Sequence, residues 1–179
     1  MTSVRLMWLG LGLLVSAFAS DVEGVFRIPT YGYSIRIPEG LKGTYAPAPA
    51  PLHGVRIALN DSGSAFLWVD GGYNSAEQSL SEMLDDVVNS AAEKGSIETK
   101  TRSKTRLGTL FAESITVRYK PAGAPEPEIR EEVIALRNMT RGPAIVYTIG
   151  MISPADKAPM NRKLLDAVAR SFHLEPFPK

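Results

Sequence analysis

Apolar and polar residues alternate over residues 25–28, as Val25, Phe26, Arg27 and Ile28, and the alternation resumes over residues 33–37, where Tyr33, Ile35 and Ile37 bracket Ser34 and Arg36. A period of two is the mark of strands with one buried face, so the two segments predict a hairpin around the turn at residues 29–32. Pro38 closes the second strand. Residues 42–52 carry Pro47, Pro49 and Pro51 alternating with alanine, which predicts a semi-rigid extended connector. Val55, Ile57 and Leu59 then alternate again, and Asn60-Asp61-Ser62-Gly63 supplies turn chemistry that returns the chain as Ala65-Phe66-Leu67-Trp68-Val69. That return run is apolar on both faces and predicts a central, covered strand.

The period changes at Ser75. Leu80, Met83, Leu84, Val87, Val88, Ala91 and Ala92 recur at helical spacing, with Ser75 and Gln78 read as the N-cap pair and Gly95 as the residue that ends the helix. Strand candidates follow over residues 97–107, 110–120, 129–137 and 144–151 with short links, the pattern of a meander. Leu164, Leu165, Val168 and Phe172 mark a second amphipathic helix over residues 160–172. Two hairpins, a helix, four strands and a final helix, without an internal repeat, predict an α+β layered domain rather than a doubly wound parallel sheet.

This order, together with Tyr31-Gly32-Tyr33-Ser34-Ile35-Arg36-Ile37-Pro38 near the start and Ala169-Arg170-Ser171-Phe172 near the end, resembles the Mog1/PsbP-like superfamily. There a Gly-aromatic-x-Ile-x-x-Pro strand opens a sheet flanked by helices, and a helix with an aromatic near its end closes the chain. The resemblance implies an antiparallel sheet flanked by helices in a layered sandwich. It also implies a partner-binding or accessory domain more than an enzyme. Fold analogy does not choose among the roles of that group, and no functional residue carries over from it.

Residues 1–19 change the picture of where the chain works. One charge at Arg5, an apolar run over residues 6–15 and Ser16-Ala17-Phe18-Ala19 read as a signal peptide cut after Ala19, followed by a single domain over residues 20–179. The apolar run is shorter than the ~20 residues that span a bilayer, so the expectation is export to the periplasm or the exterior, without stable membrane insertion after the cut. The sequence holds no cysteine, so no disulfide supports the exported domain and its core must suffice. Of 20 basic and 19 acidic side chains only Arg5 lies in residues 1–19, so the rest balances at 19 against 19. That balance gives no general pull toward nucleic acid.

Candidate chemistry is sparse. His53 and His173, the latter reading as a snorkelling helix-end residue, have no second ligand at metal-site spacing, and no nucleophile or phosphate-loop motif is present, so neither metal nor cofactor is expected. Asp85-Asp86 and Glu131-Glu132 read as solvated carboxylates whose neighbours point to different sides. The unusual feature is Lys100, Arg102, Lys104 and Arg106, alternating with threonine and serine. Period two puts all four cations on one face, as a binding ribbon for an acidic protein surface or as the charged guard of an edge strand. Trp68, Asp70 and Tyr73 form a second candidate rim, with Trp68 also readable as core. The sequence thus predicts an exported non-catalytic binding or accessory protein. An immunity or inhibitor protein against an envelope-acting toxin, and a small-ligand carrier or weak hydrolase, stand as alternatives.

Overall fold

The computed structural model describes residues 20–46 and 54–177. In chain order the elements are β1 (Ser20–Val22), β2 (Val25–Ile28), a 3-10 turn (Pro29–Tyr31), β3 (Tyr33–Arg36), β4 (Gly43–Ala46), β5 (Gly54–Ala58) and β6 (Phe66–Tyr73). They continue with α1 (Leu80–Ala92), β7 (Gly95–Leu107), β8 (Leu110–Pro121), β9 (Glu128–Arg137), β10 (Ile145–Pro154), α2 (Ala158–Ser171) and β11 (His173–Leu174). Eight strands form an antiparallel sheet in the order β1-β4-β5-β6-β10-β9-β8-β7, and β11-β3-β2 form a smaller one. The leader at residues 1–19, His53 and the prolines at 47, 49 and 51 lie outside the described residues.

The architecture is the α+β layered sandwich expected, with both predicted hairpins and the meander from β7 to β10 in place. Strand β6 is central, as its two-sided apolarity requires, because β5 and β10 flank it. On one face of the large sheet, Ile145, Tyr147, Ile149 and Met151 of β10 are fully buried against Ile35 of the small sheet and Leu165, Val168 and Phe172 from the end of the chain. On the other face Met83, Leu84, Val87 and Ala91 of α1 pack on Ile115, Val117 and Tyr119 of β8 and on Ile134 of β9. The helix α1 therefore covers only the β7–β9 half of its face.

Four local expectations change. The helix starts at Ser79, not Ser75, because Glu82 gives Ser79 a reciprocal box: the Ser79 N–H and Oγ–H donate to Oε2 of Glu82 at 2.7 Å each, and the Glu82 N–H donates to Ser79 Oγ at 3.3 Å. Those bonds hold the Glu82 carboxyl below its ordinary pKa. Asn74 instead closes the preceding loop, giving and taking hydrogen bonds with the Gln78 backbone. Gly95 is not a helix stop but the first residue of β7, where a Cβ would run into the Lys120 carbonyl of the neighbouring strand. Part of the expected connector, Gly43–Ala46, is a strand that pairs with β1 and β5. His173, read as a helix-end residue, lies in β11 and extends the small sheet.

Tyr33 sits fully buried in the core, its ring 5.6 Å from that of Tyr147 and 5.8 Å from that of Phe172, and its hydroxyl has no hydrogen-bond partner among the described residues. Burial drives its pKa up. An orphaned buried hydroxyl costs about 1–3 kcal/mol, so Tyr33→Phe is expected to raise stability by about 1 kcal/mol. Tyr119→Phe, which removes a 2.6 Å bond from the hydroxyl to Glu128, is expected to lower it. Urea midpoints at unchanged slope check both signs.

Candidate functional site

The four ribbon cations lie on β7, the outermost strand of the large sheet, and the register decides which way they face. Ile97 pairs with Tyr119, but a bulge at Glu98 shifts the count, so Thr99 pairs with Arg118, Lys100 with Val117 and Arg102 with Ile115. Val117 and Ile115 belong to the α1 side of the sheet, and the cations share that side. Arg102 donates to Asp85 and Ser81 of α1, and Arg106 donates to the Thr109 carbonyl at 2.9 Å. The Arg102–Asp85 pair is solvent-exposed and contributes only about 0.2–1 kcal/mol. Lys100 and Lys104 are exposed and have no ion-pair partner among the described residues. The four-residue ribbon thus resolves into two cations held by the protein itself and two left to solvent.

The second candidate set divides as well. Trp68 pairs with Gly150 and Asp70 with Thr148, which puts both on the α1 side by register. Tyr73 falls in the opposite register and turns its ring to Tyr31 at 5.5 Å. Trp68 is half-buried rather than core. Its ring lies flat on the sheet because Gly150 opposite has no side chain, and a Cβ there would sit inside the indole.

Between α1 and the uncovered strands runs an open groove of about 580 Å³, lined among others by Gln78, Asp86, Ser90, Arg130, Glu132 and Thr148. Sequence reading missed its key groups. Glu131 and Glu132 are not solvated carboxylates: they are 5% and 4% exposed. The correction follows from their position, since β9 is covered by a helix on each side. They do point to opposite faces, as neighbours on a strand must. Glu131 accepts from Arg162 of α2 at 3.0 Å, and Glu132 accepts from Arg130 at 2.6 Å. Arg130 also donates to Ser90 of α1 at 2.9 Å. Burial pushes both carboxyls above their ordinary pKa, and the arginines oppose that shift without cancelling it. The sequence signal was Arg130 two residues before Glu132, one strand period apart on one face.

Among the described residues no group of three or more His, Asp or Glu side chains is arranged to hold a metal, and no helix is long and apolar enough to cross a membrane.

The chain matches no family model and no curated relative. Among the solved structures similar to it are the following three. The cyanobacterial PsbP (CyanoP) of Synechocystis is 15% identical over 92% of this chain and 97% of that one, with a TM-score of 0.53. The Ran-binding protein Mog1p of Saccharomyces cerevisiae is 17% identical over 89% and 96%, at 0.49. LpqN of Mycobacterium tuberculosis, involved in cell envelope biogenesis, is 11% identical over 88% and 86%, at 0.47. The likeness to CyanoP shows the fold: this chain has the Mog1/PsbP-like sandwich that its opening-strand motif led one to expect.

Arg130→Met leaves Glu132 buried without its cation, and a loss of about 3–5 kcal/mol is expected near neutral pH. Glu132 has its folded pKa above the unfolded value, so its ionisation opposes folding. That penalty is absent below the unfolded pKa of about 4.3, grows as pH rises and is complete above the folded pKa. The variant raises the folded pKa further, so its stability deficit should shrink as pH falls. Urea titrations of both proteins across acid and neutral pH measure whether the curves converge.

Proposed function

We propose that the chain is an exported, non-catalytic binding or accessory protein that acts by protein–protein interaction. The observation that carries this reading is the exposed pair Lys100 and Lys104 on the long edge strand β7, cations with no ion-pair partner among the described residues, beside an open backbone ladder. A protein that guards an edge needs only scattered charge. Cations of one sign, held in register, attract a surface of the opposite sign and steer its approach. The partner is therefore a protein with an acidic face, met at β7.

Export rests on residues 1–19, which have the charged, apolar and small-residue segments of a leader. Ser20 is the first residue of β1, so a cut after Ala19 leaves every described strand whole. The place of work is then the periplasm or the exterior. Within this reading an inhibitor of an envelope-acting toxin is the specific form that suits a small domain whose offered surface is charged rather than catalytic.

Lys100→Glu with Lys104→Glu should abolish capture of the partner from the exporting cell while leaving Tm within a few degrees, because both side chains are exposed and neither has an ion-pair partner among the described residues. Wild-type capture should be strong at low salt and weak at high salt. Lys163→Glu, at an exposed position on α2, should capture as the wild type does. Retention of the same partner by the double variant, or capture of nothing at either salt, overturns the reading.

A further inference from the structure

The half of the α1 face that α1 leaves open holds a second pocket, on the opposite flank of that helix from the ribbon. It encloses about 370 Å³, at the lower end of the range for small-molecule sites. Its apolar surfaces are Trp68, Phe66 and Ile152. Its charged groups are Arg56, Lys94 and Arg130, with Ser90 also at its edge.

The aromatic and charged side chains are arranged, not merely adjacent. Arg56 sits over the Phe66 ring, its guanidinium carbon 3.7 Å from the centroid, and donates to the Gly63 carbonyl at 3.1 Å. Phe66 and Trp68 lean together with centroids 5.6 Å apart, and the Arg130 guanidinium stands 5.9 Å from the Trp68 centroid. Arg130 is fixed by Glu132 and Ser90. A guanidinium has five N–H donors, so those bonds leave Arg130 donors to spare. Glu132 balances one of the three positive charges. Neither Arg56 nor Lys94 has an ion-pair partner among the described residues. The result is a small site with excess positive charge, walled by two planar cations and two aromatic rings.

Flat walls favour a flat occupant. A planar ring gains contact with the indole below it and with the guanidinium planes beside it, while a carboxylate on that ring meets Lys94 and the free donors of Arg130. From this geometry we infer that the pocket binds a small aromatic carboxylate of one or two fused rings. The site is separate from the β7 ribbon and does not depend on the partner reading.

The test uses naphthoate as probe and the Trp68 indole N–H resonance of the full chain as readout, assigned by its loss in Trp68→Phe. Naphthoate should shift that resonance saturably. Neutral naphthyl methanol, which keeps the rings, and inorganic phosphate or cyclohexanecarboxylate, which keep the charge without the flat body, should each bind about tenfold more weakly or not at all. Arg56→Gln with Lys94→Gln should weaken naphthoate by about tenfold or more while lowering Tm by no more than a few degrees, since both residues are exposed and Arg56 gives up only surface contacts to Phe66 and Gly63. Absence of a saturable shift, equal binding of naphthoate and naphthyl methanol, or full affinity in the double variant overturns the inference. So does a glutamate-rich peptide that saturates the site below the naphthoate concentration, which assigns the pocket to a protein partner instead.

Discussion

The whole molecule depends on covering one row of side chains, Ile145, Tyr147, Ile149 and Met151, along the inner face of β10. Each is fully buried, and each such burial contributes roughly 1.5–3 kcal/mol. With no cysteine in the sequence, nothing covalent supplements that packing. The small sheet and α2 both lie over the row, and Tyr33 and Phe172 meet Tyr147 from opposite ends of the chain. The two ends are thereby tied to the middle. The opposite face has no such demand on it. One helix of 13 residues lies over strands β7 to β9, and the remaining strands there show half-buried side chains to solvent. The unequal covering of the two faces is what leaves room for sites.

Strand β9 links the two layers electrostatically. Its consecutive glutamates send one carboxylate to each side, Glu131 to Arg162 on α2 and Glu132 to an arginine that also holds Ser90 on α1. Buried pairs of this kind add little net stability over apolar packing, but they penalise any arrangement that separates the partners. Here they fix where each helix sits against the strand. They also place a rigid guanidinium in the floor of the open face, next to the aromatic pair.

Much of the fold was legible because periodicity reports burial directly. The hairpins, the meander and both helices follow from it, and Trp68-Val69 with their neighbours announced a central strand. The strands β1, β4 and β11 were not legible: they are two to four residues long, and pairing with distant partners, not pattern, makes them strands. The start of α1 was misread because two serines each precede a suitable side chain by three residues. The carboxylate that answers Ser79 accepts from both its backbone and its hydroxyl, and that bond set decides the competition. The ribbon was legible as a period-two row, but which of its cations are already engaged was not, since Asp85 and Ser81 approach from a helix about twenty residues earlier. The Arg56, Lys94 and Arg130 cluster was invisible, because its members come from β5, the turn after α1 and β9, and no local spacing joins them.

The bulge at Glu98 sets a parity. Up to Ile97 the odd-numbered side chains of β7 face α1; beyond it the even-numbered ones do, so that Leu107 reaches the core on the far side while the basic residues stay beneath the helix margin. A single inserted residue thus assigns a whole row of charge to one side of the protein. Because the side-chain period is two, loss or gain of one position there would transfer the row to the other side without altering any of the charged residues themselves.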